Sequence, residues 1–130
     1  MIVVDASAVL EVLLRTRVGP QIEKRIFAPT QTLHAPHLLD LEVAQVLRRY
    51  TASGDIEADR GLEALADLVD LPVTRYPHDP FLSRIWELCH NLTAYDAVYV
   101  ALAEALSAPL LTRDARLASA SGNRAVIEVV

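Results

Sequence analysis

Hydrophobic and polar positions alternate in short blocks along this chain. Ile2-Val3-Val4 is a β-branched run that predicts a buried strand, and Asp5 stands at its carboxyl end. Ser7 is placed to cap a helix over about residues 8–15, and Gly19-Pro20 reads as a break before a second helix at 21–27. Residues 33–35 predict a short strand ended by Pro36. From Leu38 to about Tyr50, Leu39, Val43, Val46, Leu47 and Tyr50 fall on one helical face. Ser53-Gly54 interrupts, and residues 57–71 predict another helix, carrying Leu62, Leu65, Leu68 and Val69 and stopped by Pro72.

Residues 73–76 predict a strand and 81–90 a helix. Thr93 is the expected cap of a helix at 95–106, whose apolar face holds Tyr95, Val98, Tyr99, Leu102 and Leu106. Leu110-Leu111 is a strand running into Arg113-Asp114. A short helix near 115–120 and a last strand at 125–129 complete the pattern. Such βα alternation predicts an α/β fold: a mainly parallel sheet flanked by helices on both faces. No repeat, linker or composition shift divides the chain, so residues 1–130 are expected to form a single domain.

Composition narrows the function. The chain is 52% hydrophobic, too apolar for a disordered protein and slightly rich for a soluble monomer, which points to a covered apolar patch. It has no run of about 18 uncharged apolar residues, so no membrane span is expected. The N-terminus lacks a basic secretory region, and the lone Cys89 excludes an internal disulfide; together they predict a cytoplasmic protein. A formal charge of −5 excludes a general basic nucleic-acid binder. Contact with RNA would need local charge arrangement and bound cations. Eleven of the twelve basic residues are arginine, Lys24 being the exception.

Four acids stand in unusual places. Asp5 and Asp114 follow strands, and open parallel sheets bind ligands beyond the carboxyl ends of their strands. If those strands are neighbours, both side chains reach one edge. Glu42 flanks the apolar stripe of its helix, and Asp96 lies beside a strongly apolar face in Thr93-Ala94-Tyr95-Asp96-Ala97. Clustered carboxylates repel one another and are costly to bury, so such a site must take up protons or bind cations. Oxygen donors suit Mg²⁺ or Mn²⁺, and those ions support phosphoryl chemistry. Singly, each acid also has a plain structural use as a cap or a partner of the helix dipole, and Asp40 is read only that way.

These motifs, in this order, resemble those of the PIN domain, and within that superfamily the VapC-type toxins of bacterial toxin–antitoxin pairs. The opening Ile2-Val3-Val4-Asp5-Ala6-Ser7-Ala8, the Leu41-Glu42-Val43 step, the central Thr93-Ala94-Tyr95-Asp96-Ala97-Val98-Tyr99-Val100-Ala101-Leu102-Ala103 and the late Pro109-Leu110-Leu111-Thr112-Arg113-Asp114 carry it. The resemblance covers nearly the whole chain and leaves no acidic position empty. It implies a five-stranded parallel sheet between helices and an Mg²⁺-dependent endoribonuclease that hydrolyses RNA phosphodiesters. Asp5, Glu42, Asp96 and Asp114 would be catalytic. Asp5 and Asp96 would be the main Mg²⁺ ligands, with Mn²⁺ a possible substitute, and Glu42 and Asp114 would act directly or through water. Ser7 and Thr112 would orient those ligands from behind. A cognate antitoxin masking the site and a homodimer are also implied.

Other residues carry weaker signals. Arg113 is a candidate phosphate contact, with Arg15 and Arg17 as further candidates at the same edge. Arg48-Arg49 reads as an exposed helix face. His34 and His37, three apart with no cysteine nearby, do not make a zinc motif. The spacing of Tyr95, Tyr99 and Trp86 predicts core packing over base stacking, and Cys89 reads as a core residue. Two rival functions remain. An aspartyl-phosphate-forming phosphatase could use Asp5 as nucleophile, but Ser7 stands where a second aspartate is usual and Lys24 lies in an early helix. A non-catalytic RNA- or partner-binding domain is the other, and the intact acidic set argues against it.

Overall fold

The computed structural model describes all 130 residues. Strand β1 (Ile2–Val4) leads into helices α1 (Ala6–Leu13) and α2 (Gly19–Ile26), then strand β2 (Leu33–Pro36). Helices α3 (Leu38–Ser53) and α4 (Ala58–Asp70) follow, then β3 (Val73–Tyr76). After a 3₁₀ turn at Asp79–Phe81 come α5 (Leu82–Leu88), α6 (Ala94–Leu106), β4 (Leu110–Thr112), α7 (Arg116–Ser119) and β5 (Ile127–Val129). The five strands form one sheet in the order β3-β2-β1-β4-β5, with every pairing parallel.

Strand alternation sorts the core into two layers. Ile2 and Val4 face Val9, Leu39, Val43 and Leu68, on the side covered by α1–α4. Val3 faces the other way, against Ile85, Leu88, Leu102 and the buried small residues of α6. A parallel strand buried on both faces must be apolar throughout, which is why Ile-Val-Val carries no polar position until Asp5. The chain passes from β1 to β2 on one side, and β4 returns to pair with β1 on the other. The strand order therefore reverses between β1 and β4, where parallel sheets open a crevice. The register Val4↔Leu111 sets Asp5 opposite Thr112 at that crevice.

Several local expectations are corrected. Asp5, not Ser7, caps α1: its backbone is extended and its side chain accepts the Ala8 N–H. Gly19-Pro20 opens α2 instead of breaking the chain, because proline's missing N–H costs nothing in a first helical turn. In α4 the buried face is Gly61, Ala64 and Leu68, so Leu62 and Val69, off that line, are exposed. Trp86 is 79% and Tyr95 64% exposed, and Cys89 is also exposed; of the expected aromatic core only Tyr99 is buried. Helix α5 has one inward face, filled by Ile85 and Leu88, and Trp86 lies off it.

Asp40 keeps its structural reading, in the first turn of α3 and 2.8 Å from Arg75. His34 hydrogen-bonds the Tyr76 hydroxyl at 2.7 Å and the Thr32 hydroxyl at 2.8 Å inside the sheet. No helix is long and apolar enough to cross a membrane.

Candidate active site

The carboxyl ends of β1 and β4 open into a cleft of about 840 Å³ whose lining includes Asp5, Glu42, Asp96 and Asp114. Four elements supply them. Asp5 ends β1, Glu42 lies on the second turn of α3, Asp96 on the first turn of α6, and Asp114 in the loop after β4.

Asp5 is the most constrained, at 8% exposure. Its Oδ1 accepts the Ser7 hydroxyl at 2.6 Å and the Ala8 N–H at 3.1 Å, and its Oδ2 accepts the Thr112 hydroxyl. The Thr112 oxygen in turn accepts the Asp114 N–H at 2.9 Å, and the Ser7 oxygen accepts the Arg113 N–H at 2.9 Å. Ser7 and Thr112 thus hold the Asp5 carboxylate and tie the loop after β4 to the start of α1. Burial raises the Asp5 carboxyl above the usual range, opposed by the hydrogen bonds from Ser7, Thr112 and Ala8.

Glu42 accepts the Tyr99 hydroxyl at 2.6 Å through Oε1. Burial raises its pKa; the Tyr99 bond opposes this, and the charges of Asp5 and Asp96 add to it. Burial and the facing Glu42 carboxylate push Tyr99 far above the ordinary phenol range, so its proton stays in place as a donor. Asp96 is positioned by its own helix start: the Thr93 side chain caps the Asp96 N–H at 3.1 Å. Burial and then the Asp114 charge raise Asp96. Asp114 differs. Arg116 holds its carboxyl below the usual range, with Nε 3.0 and 3.1 Å from the two oxygens and Nη2 bonded to Oδ2.

Three neighbouring acids with raised pKa values form a site short of positive charge. Nowhere do three His, Cys, Asp or Glu side chains converge as a ready-made metal cage. That still fits Mg²⁺, which keeps several waters and takes one or two carboxylates plus substrate oxygens. The donor set is all oxygen, as Mg²⁺ and Mn²⁺ prefer.

Arg113 lines the cleft, but its guanidinium is engaged 3.5 Å from Glu11 and with the Val130 carbonyl. Arg15 and Arg17 do not line it; α1 leaves the cleft after Glu11, and Arg15 borders a separate surface pocket with Phe27, Asp70 and Pro72. Sequence reasoning did not single out Arg116 or the Tyr99 bond to Glu42. The i, i+2 spacing of Asp114 and Arg116 was a signal for the first; the second, 57 positions apart, had none.

The molecule is thus a parallel α/β protein with an acidic cleft at the point where its strand order reverses. The model of the PIN domain matches residues 2–123, and the chain belongs to that family. It is similar over its full length to two Mycobacterium tuberculosis proteins. Ribonuclease VapC12 is 41% identical over 100% of this chain and 99% of that protein. Ribonuclease VapC9 is 45% identical over 100% of this chain and 98% of that one. Among solved structures, PAE2754 from Pyrobaculum aerophilum superimposes with a TM-score of 0.72 at 26% identity, covering 99% of this chain and 83% of that chain.

Proposed function

We propose that this protein is a VapC-type ribonuclease, the toxin of a toxin–antitoxin pair, hydrolysing RNA phosphodiesters with Mg²⁺ or Mn²⁺. The observation that carries the reading is the shared cleft of Asp5, Glu42, Asp96 and Asp114. The full-length likeness to proteins named as VapC ribonucleases supports it.

Asp5 and Asp96 would hold the cation, with Glu42 and Asp114 completing the pocket. When bound, the ion supplies a water of lowered pKa and shields the phosphodiester's charge. Ser7 and Thr112 keep the Asp5 carboxylate in one orientation, so it need not reorganise when the substrate enters. Glu42 has Oε1 committed to Tyr99, and no protein group donates to its Oε2. That oxygen is the one open to a water and can take its proton. The −5 charge leaves RNA attraction to the arginines at the cleft, Arg49, Arg113 and Arg116. A cognate antitoxin covering this cleft, and a homodimer, belong to the same reading. The phosphatase alternative finds little support: Asp5 is buried under three hydrogen bonds, and Lys24 is exposed on α2, away from the cleft.

The test is cleavage of a pool of structured cellular RNAs by the purified protein, with Mg²⁺ or Mn²⁺, with and without chelator, beside Asp96→Asn. Cleavage abolished by both the chelator and the substitution is the expected result. Cleavage that survives both would sink the mechanism. RNA binding without cleavage under any metal condition would favour the binding-only domain.

A further inference from the structure

Three arginines line the cleft, and the structure uses them differently. Arg113 is committed to Glu11 and the Val130 carbonyl. Arg49 is seven residues beyond Glu42 on α3, about 10 Å along the helix axis from it. Arg116 alone lies on the carboxylates. Its fork takes both oxygens of Asp114 while its side chain is 83% exposed. The neighbouring Leu117 is buried and anchors α7, which leaves Arg116 directed outward at the mouth. The charge of Arg116 also reaches Asp96.

This arrangement sets up a competition. Both Asp114 oxygens are engaged by the guanidinium, and Oδ1 also accepts the Arg116 N–H at 3.0 Å. A divalent cation held by Asp5 and Asp96, in a pocket that Asp114 would complete, meets the charge of that guanidinium and must share Asp114 with it or displace it, because like charges repel. The guanidinium is itself exposed, so on leaving Asp114 it is taken up by water at once. A released guanidinium has five donors in a planar fork, which match the non-bridging oxygens of a phosphodiester.

We propose that Arg116 is an exchanging phosphate ligand: it covers Asp114 in the metal-free protein and transfers to the RNA backbone when the cation binds. This rests on the ribonuclease reading and deepens it. Arg116 then couples the two ligands, because it hinders the cation when RNA is absent and aids RNA once the cation is present. Arginine suits both positions, since each partner offers two oxygens to one fork.

The experiment compares wild type, Arg116→Ala and Arg116→Lys. Affinity for Mn²⁺ alone is measured by calorimetry. Affinity for a labelled random-sequence RNA 20-mer is measured in Ca²⁺, with the RNA checked on a gel for integrity. Arg116→Ala is expected to bind Mn²⁺ about three- to tenfold more tightly and RNA about three- to tenfold more weakly than wild type. Arg116→Lys, with the charge but not the fork, should fall between the two in RNA affinity. Melting temperatures check that all three fold. Unchanged or weaker Mn²⁺ binding by Arg116→Ala, or unchanged RNA binding, overturns the exchange and leaves the ribonuclease reading standing. A wild type that binds neither Mn²⁺ nor RNA overturns both.

Discussion

The Tyr99 hydroxyl donates a 2.6 Å hydrogen bond to Glu42, joining α6 to α3 in the lining of the cleft. Tyr99 is itself buried at 2% exposure, so the bond is made by a side chain with almost no freedom to move. A core residue of one helix thereby fixes the orientation of an acid on another.

Removing that donor should show in the pH dependence of activity. The Tyr99 bond lowers the Glu42 pKa against the effects of burial and of neighbouring charge. In Tyr99→Phe, Glu42 is protonated at higher pH than in wild type, so the acid limb of the cleavage profile moves upward. Stability should fall by about 1 kcal/mol. A pH–rate profile and urea denaturation measure both; an unmoved acid limb would remove Glu42 from the proton chemistry.

Glu42→Gln should stabilise the metal-free protein while reducing cleavage. A carboxyl raised in the folded state binds protons there more readily than in the unfolded chain. Its contribution is therefore most favourable at low pH and is lost as pH rises from the ordinary glutamate value through the raised one. Near pH 7.5 in chelator the charge is a burden, and Gln keeps an oxygen for Tyr99. The melting temperature should rise by a few degrees. Added Mg²⁺ should stabilise wild type more than the variant. A lower melting temperature for the variant in chelator would show that Glu42 is not strained by its neighbours.

Thr112→Val tests the clamp on Asp5. Valine matches threonine in shape but lacks the hydroxyl that Asp5 and the Asp114 N–H both use. Because Thr112 is fully buried, Asp5 Oδ2 and the Asp114 N–H both lose their partner, at a cost of about 1–3 kcal/mol. Mn²⁺ binding should weaken as well, since Asp5 loses a bond that favours its charged form. Thr112→Ser should retain most of both properties in chemical denaturation and Mn²⁺ titration.

Gly19→Ala should destabilise the junction of α1 and α2. A Cβ at Gly19 would stand 2.7 Å from the Glu11 backbone carbonyl oxygen, which cannot swing aside as a side chain would. The expected loss is about 1–3 kcal/mol by urea denaturation. Equal stability of the two proteins would mean that the junction can open at no cost.

Much of this site is visible in the residue order. Asp5 and Asp114 are conspicuous because each follows a short apolar strand, and a polar residue at such an edge needs a reason. Thr93 as the cap of α6 is equally local. Where the spacing misled, the cause was local too. Tyr95 fits the period of α6, but it sits in the first turn and lines the open cleft, where no core residue covers it. Spacing favours a core place for Trp86 and residue type one for Cys89, yet α5 buries only the face of Ile85 and Leu88, and both lie off it.

The sequence by itself determined the succession of strands and helices, since periodicity, caps and breaks act over a few residues. It also placed acids at strand ends and helix starts. Only the tertiary structure decided which of those ends meet. Asp5 and Thr112 are 107 positions apart, and they bond because β4 returns to pair in parallel with β1. The raised pKa values of Asp5, Glu42 and Asp96, and the hold of Arg116 on Asp114, follow from that meeting. Burial and the charge of a neighbour are properties of positions in space, and no stretch of the chain carries them alone.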